Sequence, residues 1–145
     1  MPLFRANGFR SEIPRDWEDR STIVVMGPVA ADGFGANITV TRQALPEGTG
    51  AEAFGREQTD ALGAEVDGLA IDDERTVERA GRTLFQRMHR FRIDGRPVVQ
   101  VQTYLVHARA ADTVGYVITG TASPGAFDAC VPAFRRFVEE FRLDD

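Results

Sequence analysis

Two long runs of strand-forming residues, Thr83 to Ile93 and Val98 to Val106, are separated by little more than the turn Ile93-Asp94-Gly95-Arg96. An Asp-Gly pair favours the positive backbone angles of a two-residue hairpin. Strands joined so tightly must run antiparallel, because a parallel return needs a crossover of a dozen or more residues. Whatever else the chain does, an antiparallel ladder occupies its middle.

Further strands are predicted over Ser21 to Met26, Ala36 to Gln43 and Thr113 to Thr121, with weaker ones over Phe9 to Ile13 and Leu69 to Val77. Turn signals such as Asp32-Gly33, Pro46-Glu47-Gly48 and Ser123-Pro124-Gly125 punctuate them. Two segments have helical period instead. In the first, Thr49 and Glu52 form a capping box, and Phe54, Gln58, Ala61, Leu62 and Glu65 share a face. In the second, Phe127, Val131, Phe134, Val138 and Phe141 recur at steps of four and three. Pro132 interrupts that pattern, so the regular helix is predicted to begin near it, after a separate turn over Ser123 to Ala129. Strands, helix, strands, helix is an α+β order. The expectation is one domain spanning residues 1–145: a twisted antiparallel sheet of six to seven strands with helices packed on it.

A chain of 145 residues buries enough surface to need no disulfide or metal staple. Cys130 is the single cysteine, which fits a reducing compartment. The N-terminal stretch lacks the apolar core of a signal peptide, and no window approaches the ~20 apolar residues that span a bilayer. These features predict a cytoplasmic protein that is not membrane-embedded. The net charge of -5 argues against a nucleic-acid partner. All 17 basic residues are arginine, which we attribute to codon bias.

No catalytic constellation emerges. His89 and His107 lack the accompanying ligands of a metal site and are expected as sheet-surface residues. Cys130 adjoins the apolar stripe of the last helix and reads as a structural thiol. Asp72, Asp73 and Glu74 are expected in a solvated turn, and Gly33-Phe34-Gly35 leads into a strand rather than a phosphate-binding helix. The arginines from Arg75 to Arg96, Arg87 among them, interleave with carboxylates and suggest cross-strand charge pairing. No enzyme activity, metal or cofactor is expected. Three polar residues stand out: Gln58 in an apolar stripe, and Gln100 and Gln102, which share one strand face with Tyr104. They suit either a wet sheet face or one that offers amide hydrogen bonds to a partner.

The segment Ile13-Pro14-Arg15-Asp16-Trp17-Glu18-Asp19-Arg20-Ser21 resembles the opening motif of the DcrB-related family, small bacterial domains of PsbP-like fold. The likeness continues through Asn37 to Arg42, Leu45 to Gly48, Phe54 with Gln58 and Leu62, Val99 to Tyr104 and Ile118 to Ala122. Within that family the chain most resembles the cytoplasmic Eag chaperones of type VI secretion. The resemblance implies a homodimer whose sheet faces cradle the N-terminal hydrophobic helices of a secreted effector until it is loaded on the VgrG spike. It assigns partner contact to Gln58 and Gln102, with Thr22, Val24, Met26 and Thr39 facing the groove. Gln100 and Tyr104 join them by strand parity. Where this chain has Thr22 and Thr39 the resemblance leads one to expect aliphatic residues, so its groove is more polar. The alternative is a DcrB-related cytoplasmic protein that binds another protein or ligand on the same sheet face.

Overall fold

The computed structural model describes residues 3–6, by backbone, and 8–143. Strands β1 (Leu3–Ala6) and β2 (Phe9–Glu12) form a small hairpin of their own. The main sheet comprises β3 (Thr22–Val29), β4 (Gly35–Leu45), β5 (Asp67–Arg79), β6 (Arg82–Ile93), β7 (Arg96–Ala108) and β8 (Thr113–Ala122). Its order is β3-β4-β8-β7-β6-β5, with every pair antiparallel. Helix α1 (Ala51–Glu65) follows β4, and α2 (Phe127–Glu140) follows β8. The α+β architecture with six main strands is the one expected from the sequence.

The β6–β7 hairpin forms as its turn chemistry requires. Asp94 has φ 51° and Gly95 φ 77°, so both turn residues are left-handed.

Alternation along the strands gives the sheet two faces, with one helix on each. On one face α1 packs against β5, β6 and β7, driving Phe54 among Phe85, Tyr104 and Val117. On the other, α2 packs against β7 and β8, where Phe127 and Phe134 meet Ala36, Val99 and Ala122. Gly120 permits that approach, since a Cβ there would lie 2.5 Å from the Phe134 ring. The helices are offset. The β3–β4 side of the α1 face and the β5–β6 side of the α2 face both lie beyond the helix on their own face.

Two helix starts differ from expectation. Gly50 caps α1 without a side-chain bond, and Thr49 turns its hydroxyl back to the Pro46 carbonyl at 2.7 Å. The Thr49/Glu52 capping box therefore does not form. Helix α2 begins at Phe127, five residues ahead of Pro132, with Cys130 N–H bonded to the Ala126 carbonyl at 3.2 Å. Phe127 and Val131 both pack on the sheet. Their burial holds the turn before the proline in helical form despite its missing donor.

The segment before β3 is a clamp. Glu18 accepts the Ala44 N–H at 2.7 Å, and Asp19 accepts the Ser21 N–H at 2.9 Å while pairing with Arg42 at 3.0 Å. The acidic residues of the Trp-x-Asp-Arg-Ser motif thus fasten the chain to β4, while Trp17 itself is 71% exposed.

Candidate binding face

Strand register lines up side chains in rows across the α1 face. One row runs Val24, Thr39, Thr119, Gln102, Arg87, Glu74. The next runs Met26, Asn37, Thr121, Gln100, His89, Ile71. A third carries Thr22, Thr41, Val117, Tyr104, Phe85 and Thr76. The seven sheet residues singled out in the sequence, Thr22, Val24, Met26, Thr39, Gln100, Gln102 and Tyr104, fall in these three adjacent rows. Gln58 lies half-buried on α1, packed over the same face, with no hydrogen-bond partner among the described residues.

Their situations differ. Val24 and Met26 on edge strand β3 are exposed at 53% and 65%, and Thr22 is exposed beside them. Thr39, Gln100 and Gln102 are half-buried. Tyr104 is fully buried, its ring meeting Phe54 edge-on at 5.6 Å. It acts on the face only through what it bonds. Burial pushes its hydroxyl up to about 12, against the opposing pull of Arg87, so it stays protonated.

At the β6 positions of two of these rows, under α1, lies a group that sequence reasoning missed. Arg87 is 1% exposed and has no carboxylate partner among the described residues. Glu74, opposite it on β5, pairs instead with Arg56 at 3.1 Å. Arg87 donates to neutral acceptors: His89 Nδ1 at 3.0 Å, the Gly55 carbonyl at 3.1 Å, Gln102 Oε1 at 2.5 Å and the Tyr104 hydroxyl. The cross-strand charge pairing expected for Arg87 is absent, and His89 is wholly buried rather than on the sheet surface. Both share a strand face with Phe85 and Phe91, and that alternation was the available signal.

This buried cation sets the direction of every bond above it. An arginine only donates, so His89 Nδ1 accepts and its proton sits on Nε2. Nε2 donates to Gln100 Oε1 at 2.8 Å, which turns the Gln100 amide nitrogen to Thr121 Oγ1 at 3.1 Å. In parallel, Gln102 Oε1 is occupied by Arg87 and Tyr104, and its nitrogen donates to Thr119 Oγ1 at 3.3 Å. Each glutamine keeps one unused N–H, and each threonine hydroxyl, having accepted, keeps its proton to give. With Thr119 and Thr121 themselves buried, what the centre of the rows offers outward is the spare N–H of each half-buried glutamine. Burial holds the His89 pKa below its ordinary value, and the Arg87 charge acts the same way, so the imidazole is neutral near pH 7.

Charge stays away from the uncovered part of this face. On β3, β4 and β8 no α1-facing side chain is ionisable. The acidic run expected in a turn lies instead within β5, where Asp72 pairs with Arg90, Asp73 with Arg75 and Glu74 with Arg56. His107 is half-buried near Arg82, and half-buried Cys130 packs against the α2 core. No three metal-ligating side chains converge among the described residues, and no helix there is long and apolar enough to cross a membrane.

An antiparallel six-stranded sheet with a helix on each face defines a PsbP-like domain. The fold is similar to that of PsbP from the cyanobacterium Synechocystis, at a TM-score of 0.53 and 10% identity over 75% of this chain and 68% of that one. It also resembles LpqN of Mycobacterium tuberculosis, which is involved in cell envelope biogenesis, at 0.56 and 10% identity over 84% and 83%. PA94 of Pseudomonas aeruginosa, a protein of unknown function, matches at 0.82 and 17% identity over 100% and 98%. The chain belongs to the DcrB family, whose model matches residues 11–129. No curated protein matches it.

Proposed function

We propose that this protein is a cytoplasmic binding protein of the Eag chaperone kind. On this reading its open sheet face receives the N-terminal hydrophobic helices of a type VI effector and keeps them from water until the effector meets the VgrG spike. One observation carries the proposal: the face is free of ionisable side chains over three strands, edged by exposed Val24 and Met26, and offers the spare amide N–H groups of Gln100 and Gln102 at its centre. An apolar helix loses no charge solvation against such a surface. The free carbonyls at a helix C-terminus, or the oxygens of small polar side chains, match the spare amide N–H groups of half-buried Gln100 and Gln102. Thr22 and Thr39 make the face wetter than aliphatics would, and their hydroxyls suit the same acceptors. The chemistry is binding alone, without a catalytic step.

Edge strand β3 supports the homodimer. Its segment Thr22–Met26 carries no charge and is exposed on both faces, with Ile23 and Val25 behind Val24 and Met26. Such an edge pairs readily with another strand. A second copy adding there would continue the uncharged surface.

Co-expression with an effector segment that begins in hydrophobic helices tests the reading. The segment should become soluble and co-purify, and Val24→Lys with Met26→Lys should abolish capture while the chaperone stays folded. A segment that remains insoluble with nothing bound sinks the proposal. Capture of a polar protein instead would move the function to another ligand of the same face.

A further inference from the structure

The opposite face carries a cavity with different chemistry. Because α2 packs on β7 and β8, the α2-facing side chains of β5 and β6 are left with a trough beside the helix. One part, of about 530 Å³, has an apolar floor of Met88, Val101 and Ile118 and a wall of Phe134 and Val138. A second part, of about 430 Å³, continues toward the end of α2 and shares Arg79, Thr103, Ile118, Val138 and Glu139 with the first. Each is of a size that holds a small ligand.

Its rim is basic in a chain of net charge -5. Leaving aside Arg87, whose guanidinium is committed on the other face, the trough has Arg75, Arg79, Arg82, Arg135 and Arg142 against Asp73 and Glu139. Arg75 is spent on Asp73. Neither Arg79 nor Arg135 has a carboxylate partner among the described residues. The trough's interior offers little else to bond. Strand β6 lies between β5 and β7 with its backbone paired on both sides, and Thr103 Oγ1 already accepts from Gln86 at 3.1 Å. A peptide laid there would leave its own backbone polar groups unmet. A chain of methylenes would not, and an anion at one end would meet the arginines.

We propose that this trough binds a long-chain fatty acid, with the tail along Met88, Val101 and Phe134 and the carboxylate at Arg79 and Arg135. The site is separate from the α1 face, so either proposal can fail alone. Titration of the full chain with cis-parinaric acid should give saturable fluorescence. Hexadecanoate should displace the probe at least about tenfold better than hexadecanol, and Arg79→Gln with Arg135→Gln should erase that difference. Val138→Trp, which fills the trough, should abolish binding. Should that variant prove unfolded by circular dichroism, the exposed arginine pair carries the test alone. No saturable signal, equal competition by acid and alcohol, or retention by phosphatidylglycerol vesicles without binding of the free acid would overturn the proposal.

Discussion

Both open regions of this sheet exist because a single helix covers only part of each face, yet they are built oppositely. On the α1 side the cation is inside: Arg87 is buried beneath α1, and the open part of the face shows neutral amide groups and apolar edge residues. On the α2 side the cations are outside: the floor is apolar and the arginines stand at the rim. A buried charge held by neutral acceptors fixes the orientation of the groups above it. A rim charge is solvated and free to move, and it selects only the sign of what approaches. The first arrangement reads hydrogen-bonding pattern; the second reads charge and apolar length.

Removing each cation separates the two modes most sharply. Arg87→Leu removes four hydrogen bonds and strands His89 Nδ1, while Gln102 Oε1 keeps Tyr104 and the Gly55 carbonyl keeps Thr59, and it should cost roughly 2–4 kcal/mol by urea denaturation. Arg90→Leu, which breaks only an exposed pair with Asp72, should leave the midpoint unchanged. Equal small losses would mean that Arg87 is not the organising group.

Helix seating comes next. Gly120→Ala forces a methyl against the Phe134 ring and should destabilise by about 1–3 kcal/mol. Because Phe134 walls the trough, the displaced helix should also weaken fatty-acid binding, while capture of a hydrophobic segment on the α1 face persists. Loss of both would mean that the two sites are coupled.

The smallest effect is in pH. The folded pKa of His89 lies below the unfolded value of 6.5, so the unfolded chain binds the proton more readily. The stability this contributes is present above pH 6.5 and is lost as pH falls from there toward the folded pKa. The slope is at most about 1.4 kcal/mol per pH unit. His89→Gln should flatten that limb of the curve relative to the parent, measured by thermal midpoints between pH 7.5 and 5.5. An unchanged slope would place His89 in water rather than under α1.

Much of the fold was legible because its signals are local. Asp94-Gly95 set the hairpin, alternation set the strands, and the stripe from Phe127 to Phe141 set the last helix. Local signals misled at both helix starts, through burial at α2 and through a competing local bond at α1. Pro132 sits inside α2 because Phe127 and Val131 are anchored ahead of it, and Thr49 bonds back to Pro46 rather than forward into α1. Parity placed Gln100, Gln102 and Tyr104 on one face. It could not show that Tyr104 lies under Phe54, which depends on where α1 crosses the sheet.

What the sequence determined by itself was the ladder, the α+β order and the shared face of the polar residues, since each follows from the periodicity of a short segment. Tertiary structure alone decided that Arg87 is buried without a carboxylate, that its bonds turn Gln100 and Gln102 toward Thr121 and Thr119, and that two offset helices leave two unlike openings. Those outcomes rest on contacts between strands and helices far apart in the chain, and no local pattern encodes which acceptor a buried arginine will find.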